Sequence, residues 1–162
     1  MTMKKILAML CMAVLMVSVP TAALAETQED EGVVVSETTE YQEDGSYIEI
    51  VVRELPAVTR ATTSKSGSKT YTGKTSDGEA LWSFTVKGTF SVNTGVSATC
   101  TAASCSASIK NSNWTNTAKS VKKSGNQAIG NATFEKKLLG LITPPSKTCK
   151  LVLTCDKNGK LS

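Results

Sequence analysis

The chain has 162 residues, a formal net charge of +4 and no histidine. The side chain best suited to proton transfer near neutral pH is therefore absent. The sequence also shows no nucleophile–base pair, phosphate-binding loop or metal-ligand cluster. These absences argue against an enzyme, so we expect no catalytic residues, no cofactor and no bound metal.

Residues 1–25 predict a signal peptide. A lysine pair precedes an apolar run from Ile6 to Val19, which is too short for the ~20 residues that a membrane-spanning helix needs. A small-residue cleavage pattern ends at Ala25, so Glu26 would begin the mature chain. We therefore expect a secreted protein that is extracellular or associated with the cell wall.

Charge divides the remaining chain into two parts. Residues 26–60 contain ten acids against two arginines, a net charge of −8, whereas residues 61–162 contain fourteen lysines against four acids, a net charge of +10. Residues 26–46 have few large apolar groups and are predicted to be a disordered acidic lead, and 47–60 to be a strand and linker. Such asymmetry favours a charged partner or an intramolecular contact between lead and body.

Patterns typical of β-strands follow one another through the body, separated by turn signals. The strongest runs from Trp82 to Val92, where apolar residues alternate with polar ones, as in an antiparallel strand with one buried face. The alternation slips near Ala102, which predicts a β-bulge. The other predicted strands are Tyr47–Val52, Lys69–Thr75, Val96–Ile109, Trp114–Lys122, Gln127–Lys137 and Lys147–Cys155.

These patterns predict an all-β protein, a compact antiparallel β-sandwich of about six to seven strands. A polar linker is expected over 60–69 and a turn at Pro144-Pro145. The expected core is modest, with Trp82 and a few phenylalanines as its large members.

Four cysteines lie in the body, and an even number in a small secreted chain favours two disulfides over a zinc site. Local pairs are excluded if both segments are extended, because residues five apart in a strand exceed the ~7 Å reach of a disulfide. Antiparallel neighbours would pair Cys100 with Cys155 and Cys105 with Cys149. Parallel neighbours, which are rarer in small β domains, would pair Cys100 with Cys149 and Cys105 with Cys155. We therefore predict the antiparallel pairing, Cys100–Cys155 and Cys105–Cys149.

Several short segments carry a family resemblance through their order and spacing: Arg60–Thr63, Lys65–Thr70, Ala80–Trp82, Gly88–Phe90, Ala98–Cys100, Trp114, Lys123–Asn126 and Leu153–Gly159. Together they resemble a family of small secreted proteins of Gram-positive bacteria, known only as a domain of unknown function. The resemblance implies an exported β domain with a bond between the positions of Cys100 and Cys155. It implies no catalytic residues, and the pair Cys105 and Cys149 departs from the family pattern.

Lysines on the later strands could form a basic surface that binds an anionic cell-wall polymer or a membrane surface. Alternatively, they keep the protein soluble and protect sheet edges. Trp114 lacks apolar neighbours at strand spacing and could stack on a sugar ring, whereas Trp82 is expected in the core. Nucleic acid is not expected, because no aromatic-basic motif accompanies the charge. The lysines are Lys119, Lys122, Lys123, Lys136, Lys137, Lys147 and Lys150.

Two functional hypotheses follow from these features. The first is a non-catalytic, monomeric extracellular protein that binds anionic polymers through its lysine-rich β surface. The alternative is a secreted cationic effector, antimicrobial or toxin-like, whose acidic N-terminal segment shields the body until it is cleaved near Arg53 or Arg60.

Overall fold

The structure is a computed structural model that describes residues 32–56, 64–139 and 141–162, with the backbone alone described at 138 and 142–145. The predicted signal peptide, its cleavage site between Ala25 and Glu26, and the cleavage position at Arg60 lie outside the described residues.

The described residues form eight antiparallel strands in two sheets, and consecutive strands pair with each other except β5 and β6, where the chain passes from one sheet to the other. The first sheet has the order β1-β2-β3-β4-β5 and the second the order β6-β7-β8. No helix in the described part of the chain is long and apolar enough to cross a membrane. The strands are β1 (Val33–Tyr41), β2 (Tyr47–Leu55), β3 (Ser64–Lys74), β4 (Ala80–Asn93), β5 (Ser97–Ile109), β6 (Trp114–Ser124), β7 (Gln127–Leu138) and β8 (Leu141–Thr154).

This architecture confirms the prediction of an all-β, antiparallel, sandwich-like fold, with more strands than expected. Residues 33–41, which the sequence analysis placed in a disordered lead, form edge strand β1. Their valines and threonines favour extended backbone. Pairing with β2 stabilises the strand even though its acidic composition is typical of disordered segments. Strand β3 likewise begins at Ser64, inside the predicted linker.

The turn predicted at Pro144-Pro145 is wrong, since the chain reverses between Leu138 and Leu141. Both prolines lie within β8, where the register shifts between the pairs Glu135–Ser146 and Lys136–Thr143. Proline is tolerated there because β8 is an edge strand that need not donate every backbone N–H to a ladder.

The two sheets pack through the face of β4 that the alternation predicted to be buried. Phe84, Val86 and Phe90 are fully buried there, against Phe134, Leu151 and Leu153 of the second sheet. The sheets approach closely at Gly130, where an added Cβ would lie 2.3 Å from Cγ2 of Val86. Only glycine permits this approach.

The predicted β-bulge is confirmed at the neighbouring residue. Ala102 pairs with Thr89 and Cys100 pairs with Phe90, so Thr101 is the extra residue on β5. The bulge returns both halves of this small-residue strand to the same buried face, which is why the apolar phase slips along the sequence.

Acids of the N-terminal part pair with lysines of the basic body. Lys74 Nζ lies 2.9 Å from Glu49 Oε1, and Lys65 forms an ion pair with Glu54. Both pairs join β2 to β3, the strands on either side of the charge division. Some acids of the N-terminal part and some lysines of the body thus lie next to each other within one sheet.

The predicted disulfides are absent: all four cysteines of the described residues are free thiols, and no two lie at bonding distance. The pairings assumed that the strand containing Cys100 and Cys105 borders the strand leading to Cys149 and Cys155. Instead β5 packs against β6 and β7, while β8 packs against β3 and β4, so β5 and β8 lie at opposite edges of the stacked sheets. The bond implied by the family resemblance, Cys100 to Cys155, is also not formed.

The thiols should differ in reactivity when the folded protein is alkylated without a reductant. Burial raises the pKa of Cys149 to about 11, so little of the reactive thiolate forms there at mildly alkaline pH. Cys105 is only half-buried. We expect a mass-spectrometric time course to show four modifiable cysteines, with Cys105 modified first and Cys149 last. Equal rates at these two sites, or a protein that resists alkylation until reduced, would contradict the structure.

Candidate binding cleft

Two tryptophans come together where β4 begins. The ring of Trp82 stacks on Phe134 with centroids 4.3 Å apart and an interplanar angle of 13°, which joins the two sheets. The Trp114 ring is tilted against Trp82 at 6.5 Å. Trp82 lies directly over Gly73, where an added Cβ would be 2.5 Å from Cε2 of the indole. The absence of a side chain on β3 thus leaves room for the largest side chain of β4.

A hydrogen-bonded turn places Trp114 at the entrance to this region. Asn111 Oδ1 accepts the N–H of Asn113 at 2.9 Å, and Asn111 O accepts the N–H of Trp114 at 3.0 Å. The carbonyl of Asn113 in turn accepts the N–H of Lys137. Trp114 is half-buried, so its indole belongs to the core on one side and faces a cleft on the other.

The cleft has a volume of about 430 Å³ and lies between the ends of the two sheets. The β1–β2 turn and Tyr47 form one wall, and Asn111, Asn113 and Trp114 form another. Lys136, in register with Trp114, and Lys147 of the second sheet also line it. Its size is within the range of small-molecule sites, and its lining mixes aromatic rings with amide and ammonium groups.

Three lysines and one aspartate line the cleft, so its electrostatic balance is positive. Lys74 is bound to Glu49 through a hydrogen bond that raises the pKa of Lys74, and it lies 5.9 Å from the centre of the Tyr47 ring. Asp44 faces the charge of Lys147, and hydrogen bonds from Ser46 hold the pKa of Asp44 below its usual value. Lys136 and Lys147 are the other two lysines of the lining, and both belong to the second sheet.

The cleft brings together three of the eight binding residues that the sequence suggested: Trp114, Lys136 and Lys147. Lys122 and Lys150 instead occupy the opposite face of the second sheet, in register with Ile129 and Asn131.

The remaining three lysines lie apart from the cleft lining. Lys119 and Lys123 are exposed on edge strand β6, and Lys123 Nζ donates to the carbonyl of Thr101 at 2.8 Å. Lys137 lies at the end of β7, opposite Ile142. The lysines are therefore distributed over two faces and an edge and do not form one continuous surface.

Sequence reasoning missed the polar side chains contributed by loops, namely those of Gln42, Asn111 and Asn113, and it missed Lys74. The run Asn111-Ser112-Asn113-Trp114 held a usable signal, because asparagines in a turn beside a half-exposed tryptophan are typical of a binding loop. The position of the β1–β2 turn at the cleft was not predicted, because residues 26–46, which contain this turn, were expected to be disordered.

The described ranges contain no group of three or more histidine, cysteine, aspartate or glutamate residues that could hold a metal ion. No family model, curated protein or solved structure matches this chain. The resemblance to secreted Gram-positive proteins stays a prediction.

Replacing Gly73 by alanine tests the aromatic arrangement. The new methyl group would force Trp82 away from its position over β3, and we expect a loss of about 1–3 kcal/mol in the free energy of unfolding. Tryptophan emission should shift to longer wavelength as the indole meets water. The matched variant Gly95→Ala adds a methyl where nothing lies within 4 Å. It should leave the emission unchanged despite the strain of its positive φ. An unaltered spectrum in Gly73→Ala would refute the placement of Trp82.

Proposed function

We propose that this protein is a secreted, non-catalytic binding protein that holds an anionic polymer at the cell surface through the cleft at Trp114. The observation that carries the proposal is the convergence of Trp114, Lys136 and Lys147 on one cleft from separate positions in the sequence. A half-buried aromatic ring beside ammonium groups and amides suits a sugar ring that bears carboxylate or phosphate groups.

Each part of the cleft has a distinct role in this proposal. The exposed part of the Trp114 indole stacks on the apolar face of a sugar ring, because an aromatic ring buries carbon-bound hydrogens well. Lys136 and Lys147 bind the anionic group, and the side-chain amides of Asn111 and Asn113 meet hydroxyl groups. One such cleft binds weakly, and a repeating polymer gains affinity from the many copies of its own unit.

The lysines outside the cleft contribute at longer range. Lys119, Lys122 and Lys150 raise the positive potential of the second sheet and speed the approach of a polyanion. Their effect is screened beyond a Debye length of ~10 Å at 0.1 M salt, so binding should weaken as salt is added.

The alternative, a cationic body released by cleavage near Arg53 or Arg60, has less support from packing. Strand β2 lies between β1 and β3, and its Val52 is 3% exposed within the core. Removing residues up to Arg53 would delete Val52 and expose the part of the core against which it packs. It would also delete Glu49, which forms an ion pair with Lys74.

Affinity for purified anionic wall polymer tests the proposal. We expect Lys147→Gln and Lys136→Gln each to weaken binding about tenfold, the effect of losing one charge-assisted hydrogen bond in a partly shielded site. Trp114→Ala should weaken it further by removing the stacking surface. The readout is a titration by calorimetry, repeated at several salt concentrations.

The matched controls are Lys150→Gln, on the same strand as Lys147 but on the opposite face, and Lys122→Gln on β6. Each removes the same charge without touching the cleft, so each should weaken binding only slightly. Equal losses in all four lysine variants would show that binding depends on net charge and would overturn the assignment of the cleft.

A further inference from the structure

The end of the β7–β8 hairpin is apolar and projects beyond the rest of its sheet. Strand β6 begins at Trp114, opposite Lys136, so β7 and β8 continue past it without a third strand. The sequence at the reversal, residues 138–142, is Leu-Leu-Gly-Leu-Ile. The side chain of Leu139 is 96% exposed and that of Leu141 is 72% exposed. We call the end of the hairpin that carries Leu139 and Leu141 the apolar tip.

The backbone of Leu139 has a conformation that leucine rarely adopts. Among the described residues, Leu139 is the one non-glycine residue with a positive φ, 51°. Glycine or asparagine would adopt this conformation at lower energy. A leucine that is both strained and almost wholly exposed contributes little to folding, so its side chain is best explained by a contact outside the molecule.

Lysines flank the apolar tip on both strands. Residues 135–150 contain Lys136, Lys137, Lys147 and Lys150 and a single acid, Glu135, which gives a net charge of +3. Lys136 and Lys137 immediately precede the tip, and Lys147 lies on the returning strand in register with Phe134. The half-buried Trp114 lies at the base of the projection, opposite Lys136.

We propose that the apolar tip is a membrane-docking element that inserts Leu139 and Leu141 into an anionic lipid surface while the flanking lysines contact the headgroups. Leucines at the end of a projecting hairpin can enter the acyl region while the β-sandwich stays outside. Lysines a few residues away keep their ammonium groups at the level of the phosphates. A tryptophan at the base suits the interface between headgroups and acyl chains.

Charge favours a membrane over a second copy of the chain as the occupant of the tip. Two tips packed against each other would bring Lys136, Lys137 and Lys147 of both copies together, and like charges in contact oppose association. An anionic bilayer satisfies the apolar and the cationic parts of the hairpin at the same time. Docking also brings the cleft, which shares Lys136 and Lys147 with this hairpin, close to the membrane surface.

Co-sedimentation of the full mature chain with vesicles of phosphatidylglycerol and phosphatidylcholine in equal parts tests this proposal. Leu139→Ser and Leu141→Ser should each weaken partitioning about tenfold through the loss of apolar burial. Lys137→Gln should weaken it about fivefold and reduce its dependence on salt. The native protein should bind vesicles of phosphatidylcholine alone much more weakly.

Leu139→Asn separates binding from folding. Asparagine tolerates a positive φ, so the variant should unfold at the same temperature as the native protein, or a higher one, while losing vesicle affinity. Val96→Ser is the matched control, because Val96 is also exposed, at 70%, but lies in the β4–β5 turn at the opposite end of the strands. It should bind vesicles like the native protein.

Native vesicle binding by a Leu139→Ser, Leu141→Ser double variant would overturn the proposal. So would a native dimer that these substitutions convert to a monomer, since that result assigns the tip to a second copy. The tip variants should keep their affinity for wall polymer, which separates this proposal from the function proposed for the cleft.

Discussion

The contact between β4 and the second sheet is the constraint on which the rest of the structure depends. Val86 rests on Gly130 so closely that no side chain fits between them, and Trp82 joins the sheets again by stacking on Phe134. Because both contacts lie on one strand, β4 sets the distance between the sheets and their relative position. Close packing of this kind leaves little tolerance for added volume. The cleft forms where the packing ends, beyond the tryptophans.

Both proposed binding elements lie at the same end of the molecule for a topological reason. Strand β4 begins there, β6 begins there, and β7 leads into the projecting hairpin. Lys136 and Lys147 belong to both the cleft lining and the base of the hairpin. A protein docked by the apolar tip would therefore hold its cleft at the surface, where polymers attached to a membrane begin. The two proposals are compatible: they share Trp114, Lys136 and Lys147, whereas Leu139 and Leu141 serve docking alone.

Local pattern predicted the strands well, because the alternation from Trp82 to Val92 reports burial directly and the slip near Ala102 marks a real bulge. The alternation of apolar and polar residues along each strand could not show which strands face each other across the sandwich. The disulfide prediction failed for that reason, since it placed the strand of Cys100 beside β8 when they occupy opposite edges. No cleft was predicted, although three of its residues, Trp114, Lys136 and Lys147, were suggested for binding as parts of separate features. The position of the β1–β2 turn at the cleft was not predicted, because residues 26–46 have a composition typical of disorder.

The most direct test of the account is a nuclear Overhauser spectrum of the folded protein that looks for contacts between β4 and β7. The structure predicts cross-peaks between the Val86 methyl groups and the Hα protons of Gly130, and between the indole protons of Trp82 and the ring protons of Phe134. Cross-peaks between neighbouring strands of one sheet, here called strand ladders, would be expected in many β proteins. They do not test how the two sheets pack against each other. If those ladders are present but both inter-sheet contacts are missing, the sheets are not packed in this way, and the cleft does not exist as described.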